Sequence, residues 1–145
     1  MRLSLRRPVD APPERVWQVL ADWERYAEWM PDVAWVRPAG LERDLGMRLA
    51  VRTRVFGLPL VTDSLLVTAW EPPRRMAIVH QGLVRGTAEW LVEPSESGST
   101  FTWTEELAMP AALLGELGLW AYRPILLWTF RRSMRNLASR AASGS

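Results

Sequence analysis

The sequence contains no cysteine, no lysine and only one histidine among its 145 residues. The lack of cysteine excludes disulfide bonds and thiolate metal sites, and one histidine is too few for the usual zinc or haem ligand sets. A nucleophile elbow, a P-loop and a dinucleotide-binding fingerprint are also missing. The sequence therefore predicts no metal and no cofactor, and it argues against an enzyme that depends on a cofactor or a nucleophilic serine.

All eighteen basic residues are arginines, and sixteen acidic residues reduce the net charge to +2. Most of these arginines are interleaved with aspartate or glutamate, whereas a nucleic-acid surface needs basic residues clustered without acids. The pattern therefore predicts no nucleic-acid partner. A group near the C-terminus, Arg131, Arg132 and Arg135, is the exception, and it either forms a solvated helix face or contacts anionic lipid.

The N-terminal residues include no continuous apolar segment of the kind found in secretion signals, which predicts a cytoplasmic protein. The length suits a single domain. We predict that this domain covers residues 1–141 and that residues 142–145 form a flexible tail. The sequence leaves open whether the protein is a monomer or a homodimer.

The hydrophobic pattern predicts an α+β fold, with one strand, two short helices, about six further strands and a long C-terminal helix. Val16, Trp17, Val19 and Leu20 recur at helical spacing and predict the buried side of the first helix. From Val33 onward, apolar and polar residues alternate with a period of two, and short turns separate the runs. Such strands form an antiparallel sheet that needs a cover on one face, and only the C-terminal helix is long enough to supply it.

The C-terminal helical stretch contains Pro124, which lacks an N–H group. Proline either kinks a continuous helix or occupies the first turn of a new one. We favour the second arrangement, in which the segment from Ala111 to Tyr122 is a separate helical piece. The segment from Leu113 to Phe130 is more apolar than the cover of a sheet requires, but two charges and the proline interrupt the ~20 apolar residues that a membrane span needs.

Three stretches, in this order of elements, carry a family resemblance: Glu28-Trp-Met-Pro31, Gly86-Thr-Ala-Glu-Trp-Leu-Val-Glu-Pro94 and Gly98-Ser-Thr-Phe-Thr-Trp-Thr-Glu-Glu106. Over nearly its whole length the chain resembles the polyketide cyclase/dehydrase and lipid transport proteins of the START-like (SRPBCC) superfamily. The resemblance implies the helix-grip fold, in which a curved seven-stranded antiparallel sheet wraps around a long helix with a deep apolar cavity between them. It also implies a hydrophobic ligand such as a lipid, a polyketide, a quinone or a plant hormone. No catalytic residue follows from the resemblance, because the family has no universal catalytic motif.

Polar residues share the apolar side of several predicted strands. By alternation, Thr53, Asp63, His80 and Glu105 each lie among apolar neighbours. A buried carboxylate or imidazole is costly unless it is paired, so such groups usually have a partner or a ligand. We expect the two acids and the histidine to form the polar end of an apolar pocket and regard them as weak catalytic candidates. One β-bulge would exchange Glu105 for Glu106, and the sequence leaves that choice open.

Nine tryptophans are many for this length, and aromatic side chains are common in ligand pockets. Core filling explains the tryptophans about equally well. The predicted cavity is lined by Thr53, Asp63, His80, Trp90, Trp103, Glu105, Leu117, Trp120 and Tyr122.

These patterns support three functional hypotheses. The first is a binder or carrier of a lipid, polyketide, quinone or other polycyclic or isoprenoid compound, held between the sheet and the C-terminal helix. The second is a polyketide cyclase or dehydratase in which His80 and a cavity carboxylate move protons. The third is a membrane-associated lipid or quinone chaperone, in which the segment from Leu113 to Phe130 touches the membrane transiently and the C-terminal arginines contact head groups.

Overall fold

The computed structural model describes residues 1–40 and 44–143, and its elements follow the predicted order. The elements are β1 (Arg2–Val9), α1 (Pro13–Ala21), a 3₁₀ helix (Trp23–Glu28), β2 (Val33–Pro38), β3 (Arg48–Val55), β4 (Leu58–Glu71), β5 (Arg75–Gln81), β6 (Arg85–Ser95), β7 (Gly98–Ala108), a short 3₁₀ turn (Ala111–Leu113) and α2 (Gly115–Ala142). The predicted tail lies partly outside this range: Ala142 belongs to α2, and residues 144 and 145 are not described.

The seven strands form one curved antiparallel sheet in the order β1-β7-β6-β5-β4-β3-β2. The long helix α2 lies along β1 and β7 and contacts α1 near its C-terminal end. This arrangement confirms the predicted α+β class and the helix-grip fold. On α1, the predicted residues Val16, Trp17, Val19 and Leu20 are the buried ones.

The helix α2 is continuous through Pro124, so the prediction of two separate helices is wrong. Only the turn at Ala111–Leu113 stands apart, and it ends at Leu114 in the left-handed conformation. Proline removes one helical hydrogen bond, but Leu119 and Phe130 are both buried and lie about three helical turns apart. Because a continuous helix directs both side chains toward the sheet, their burial outweighs the lost bond. No helix of the described residues is long and apolar enough to cross a membrane.

The interior beneath the second half of α2 is filled with aromatic rings. Trp103 of β7 stacks on Phe130 of α2 at 4.6 Å between ring centroids, and Trp90 of β6 meets Trp103 edge-on at 5.7 Å. Tyr26 of the 3₁₀ helix also packs edge-on against Trp90, with ring centroids 6.2 Å apart. These four rings form a packed core, so this part of the interior leaves little room for a ligand.

The other end of the interior is looser. Because neighbouring strands are antiparallel, β3, β5 and β7 all end on the same side, which places residues 56–57, 82–84 and 109–114 at one end of the sheet. We call this side the open end. Along the inner face of β3, Leu49 and Val51 are buried, whereas Thr53 and Val55 are only partly covered. Burial therefore decreases toward the open end.

Candidate functional site

The central polar contact of the interior joins His80 and Glu105. Nε2 of His80 lies 3.2 Å from Oε2 of Glu105, and the two side chains are 18% and 7% exposed. The two residues belong to β5 and β7, which are separated by β6. On β6 the residues opposite them are Gly86 and Ala88. Because these two are small, the imidazole and the carboxylate can meet above the intervening strand.

The buried face of β7 carries Glu105, whereas Glu106 is exposed. Buried Phe101, Trp103 and Leu107 share that face, so regular alternation without a bulge fixes the orientation. Nε1 of Trp103 donates a hydrogen bond of 3.0 Å to Oε1 of Glu105. Each carboxylate oxygen of Glu105 therefore has a side-chain partner, which offsets the cost of burying its charge.

Two opposing effects set the charge of His80. Burial alone lowers the pKa of an imidazole, but the hydrogen bond to Glu105 and the negative charges of Glu105 and Asp63 outweigh it, so the pKa of His80 is raised above its ordinary value. A histidine with a raised pKa carries more positive charge at neutral pH than a free one. The protonated imidazole of His80 can therefore donate a proton, or it can form an ion pair with the carboxylate of Glu105.

Asp63 lies on the inner face of β4 but makes a different bond. Its Oδ1 accepts a 2.9 Å hydrogen bond from the backbone N–H of Leu83, in the loop after β5. A side chain at Gly82 would collide with this carboxylate, since a Cβ there would lie 1.8 Å from Oδ1. Asp63 therefore links the β5–β6 loop to β4 by a hydrogen bond, and its negative charge helps to raise the pKa of His80.

A further acid, Asp32, was missed by the sequence analysis. It precedes β2 in the turn after the 3₁₀ helix, and burial raises its pKa to about 6. A backbone N–H lowers this pKa, the charge of Glu105 raises it, and the charge of Arg54 lowers it again. Part of the Asp32 surface still contacts solvent although the group lies deep in the molecule.

No alternation pattern marks Asp32, because it lies ahead of its strand. The sequence feature that could have indicated Asp32 is its position directly after the Glu28-Trp-Met-Pro31 stretch. The backbone holds it in place: the N–H of Arg54 donates to the carbonyl of Asp32 at 2.6 Å, and the Arg54 guanidinium donates to the carbonyl of Val33 at 2.8 Å. The end of β3 thereby fixes the turn that carries the acid.

The predicted aromatic residues divide into two groups. Trp90 and Trp103 are buried beside the polar contact, and Nε1 of Trp90 is a buried donor with no partner among the described residues. Leu117 and Trp120, in contrast, are 71% and 57% exposed, so the prediction that they line the cavity is wrong. Each helical residue turns by about 100°, and α2 directs Leu119 inward, which points its neighbours at 117 and 120 away from the sheet.

The remaining predicted residues lie at the open end. Thr53 is partly covered on the inner face of β3. Tyr122 is partly buried and meets Phe56 of the β3–β4 turn edge-on, with ring centroids 5.3 Å apart. This contact joins the first half of α2 to the tip of the β3–β4 hairpin and closes the open end between them.

Two surface concavities lie elsewhere. One, of about 280 Å³, is a polar groove between α1, the 3₁₀ helix and the C-terminal end of α2, where Arg15 donates to the carbonyl of Arg140. The other, of about 390 Å³, borders Met1 and Leu107. Neither contains the His80–Glu105 pair, and we place the candidate site at the pair because its charged groups converge there. Among the described residues no group of His, Asp and Glu could hold a metal ion.

Comparisons with known proteins agree with this architecture. The family model described as polyketide cyclase / dehydrase and lipid transport matches residues 1–142. No curated protein matches the chain in sequence.

Several solved structures share the fold. TTHA0849 from Thermus thermophilus superposes with a TM-score of 0.82 at 18% identity, over 100% of this chain and 99% of that one. The di-domain ARO/CYC StfQ from the steffimycin biosynthetic pathway gives 0.81 at 14% identity, over 98% of this chain and 50% of that one. The ZhuI aromatase/cyclase from Streptomyces sp. R1128 gives 0.69 at 21% identity, over 99% and 92%. At these identities the likeness shows the fold.

Proposed function

Since the chain belongs to the polyketide cyclase/dehydrase and lipid transport family, we propose that it binds a hydrophobic small molecule between the sheet and the first half of α2. The observation that carries this proposal is the His80–Glu105 pair, which lies on the largely apolar inner face of the sheet near the open end. Apolar pockets with a few convergent polar groups are the usual form of small-molecule sites.

The interior suggests the chemistry of the ligand. Trp90 and Trp103 are packed with Tyr26 and Phe130, so the body of a ligand would lie beyond these rings, against the partly covered Thr53 and Val55 of β3. The His80–Glu105 pair offers a polar contact beside this position. We infer a ligand with a polycyclic or isoprenoid body and at least one carbonyl or hydroxyl oxygen, a class that includes polyketides, quinones and lipids.

Access to the interior requires the open end to widen. Phe56 is 74% exposed and touches α2 through Tyr122. An isolated edge-on ring pair contributes only about 0.5 to 1.5 kcal/mol, so separating it costs little compared with the apolar area that a ligand buries. We infer that a ligand enters where these two rings part and that its body then covers the partly exposed positions at the end of β3.

A thermal-shift screen tests this proposal with quinones, polycyclic phenols, isoprenoid alcohols and fatty acids. At a concentration about one hundred times the dissociation constant, a ligand stabilises the folded protein by about 2.7 kcal/mol, which raises Tm by roughly 5 to 10 °C at this chain length. We expect such a rise with at least one of these classes. No response to any class would contradict the proposal.

A pair of variants locates the binding. Thr53→Trp adds bulk to the inner face at the open end and should abolish the shift. Ser64→Trp adds the same bulk to the exposed face of β4 and should leave the shift unchanged. Equal ligand responses in both variants would place the bound molecule outside the interior.

A second candidate function, that of a cyclase or dehydratase, is favoured by one observation. A carboxylate orients the imidazole of His80 at 3.2 Å, and the pKa of Asp32 is raised to about 6 by burial, with a further contribution from the charge of Glu105. Groups that titrate near neutral pH suit general acid–base catalysis. With a polyketone substrate, His80→Gln should abolish product formation but preserve binding. Turnover retained in that variant would exclude this role for His80.

A further inference from the structure

The first half of α2 exposes apolar side chains on the side that faces away from the sheet. We call this surface the α2 outer face, and it consists of Leu117, Trp120, Ile125 and Trp128 together with Leu114, the residue just before the helix. Trp128 is 56% exposed, although large aromatic residues on a surface helix normally turn inward. A ligand in the interior cannot cover these residues, because the same stretch of helix directs Leu119 toward the sheet and the outer face away from it.

Positive charge continues this surface along the helix. Arg131, Arg132 and Arg135 follow within two turns and are exposed, and among the described residues none of the three makes an ion pair. The guanidinium of Arg132 lies 5.3 Å from the centre of the Trp128 ring, and that of Arg123 lies 5.4 Å from the centre of the Trp120 ring. Paired tryptophan and arginine side chains suit the boundary between water and lipid head groups.

We propose that the α2 outer face docks on the surface of an anionic phospholipid bilayer. The apolar residues would lie at the level of the head groups, and the three arginines would contact lipid phosphates. No described helix can span a membrane, so α2 lies along the surface.

The charges of this surface favour a bilayer over a second copy of the chain. A two-fold interface pairs a patch with itself, so a patch whose only unpaired charges are positive brings like charges together. The nearest acid on the first turn of α2, Glu116, is already engaged, since its carboxylate lies 3.2 Å from the N-terminal ammonium of Met1. An anionic lipid surface would balance the three arginines, whereas a second copy would add three more.

Docking would also place the opening of the interior near the bilayer. The outer face continues to Phe56 through the contact of that ring with Tyr122, which is where we place ligand access. A hydrophobic ligand could then pass between the bilayer and the interior with little exposure to water. This last step rests on the proposed function, whereas docking itself does not.

Flotation with lipid vesicles tests the proposal without any interior ligand. The probes are vesicles of phosphatidylcholine alone and vesicles of phosphatidylcholine mixed with phosphatidylglycerol. We expect the protein to float with the mixed vesicles and at least about tenfold less with the neutral ones, because each arginine near an anionic surface adds roughly a fivefold gain. Failure to bind the mixed vesicles would overturn the proposal.

Matched variants test the surface itself. Trp120→Ser combined with Trp128→Ser should reduce binding to the mixed vesicles about tenfold or more, whereas Leu45→Ser, an exposed apolar residue at the other end of the sheet, should not. Arg131→Glu with Arg132→Glu should also abolish binding. The control is Arg6→Glu with Arg48→Glu, which changes the net charge by the same amount at exposed positions of the sheet. This control variant should retain most of its binding to the mixed vesicles.

Two outcomes would overturn the proposal even if the protein floats. One is an equal loss of binding in the tested and matched variants, which would indicate a general charge effect. The other is a dimer in light scattering that the two tryptophan substitutions dissociate, because the outer face would then be covered by a second copy. The Thr53→Trp variant distinguishes docking from ligand binding. Its Tm should no longer respond to the ligand, but it should still float with the mixed vesicles.

Discussion

The two halves of α2 differ in what surrounds them. Residues 129–142 are amphipathic: Phe130, Met134, Leu137 and Ala141 are buried, and arginines occupy the outer side. Residues 115–128 are apolar on both sides, and only Leu119 among them is fully buried. In the second half of this continuous helix, the apolar residues are buried in the core. In the first half, most apolar residues are exposed and can contact other molecules. The difference suggests that stability resides in the second half and binding in the first.

Removing a core side chain from the second half should have the largest effect. Leu137 is completely buried, so Leu137→Ala should lower the free energy of unfolding by about 2 to 5 kcal/mol. Leu117→Ala in the first half should change it by less than about 0.5 kcal/mol. Chemical denaturation of the two variants checks the comparison. Equal losses would show that both halves contribute to the core.

The next largest effect is expected at Asp32, beneath the open end. Its pKa is raised to about 6 from 3.8, so the stability that it contributes is present below pH 3.8 and is lost as the pH rises through 6. Asp32→Asn removes this loss and should stabilise the protein by roughly 3 kcal/mol at pH 7. It should change little near pH 3. Unfolding curves across this pH range measure the difference, and a destabilised variant at pH 7 would contradict the account.

A smaller effect concerns the charge of the polar contact. His80 is the only histidine in the sequence, so one imidazole resonance reports its titration. We expect a midpoint above 6.5, with the stability from this group full below pH 6.5 and lost as the pH rises through the midpoint. Glu105→Gln should lower the midpoint, because the hydrogen bond and charge of Glu105 no longer oppose the effect of burial. A wild-type midpoint below 6.5 would be inconsistent with the observed pair.

The last comparison concerns Pro124, within the loose half of α2, where a substitution should increase stability. Proline inside a helix costs up to about 3 kcal/mol relative to alanine, so Pro124→Ala, which restores one helical hydrogen bond, should stabilise the protein by at most about that amount. Hydrogen exchange should slow in residues 120–127 and remain unchanged in the second half. Slower exchange throughout α2 would mean that its two halves open as one unit.

Several parts of this structure could be predicted from local patterns. The inward residues of α1 followed from helical spacing, and alternation along β7 favoured an inward Glu105, although only the structure decided between Glu105 and Glu106. Both depend on a periodicity that the chain carries within one element. The rotation of the first half of α2 could not be predicted in this way, because apolar residues on all sides give a helix no preferred face, and Leu117 and Trp120 were assigned to the wrong one.

The amino-acid sequence by itself determined the order of elements, the antiparallel sheet and the helix that covers it, because periodicity and turn residues act over short distances. Only the tertiary structure decided that His80 and Glu105 meet above Gly86 and Ala88, since that contact depends on the register of three strands. It also decided the environment of Asp32, whose pKa reflects desolvation by residues far apart in the chain. Contacts across strands and the shielding of charge are properties of the assembled molecule, and no single segment encodes them.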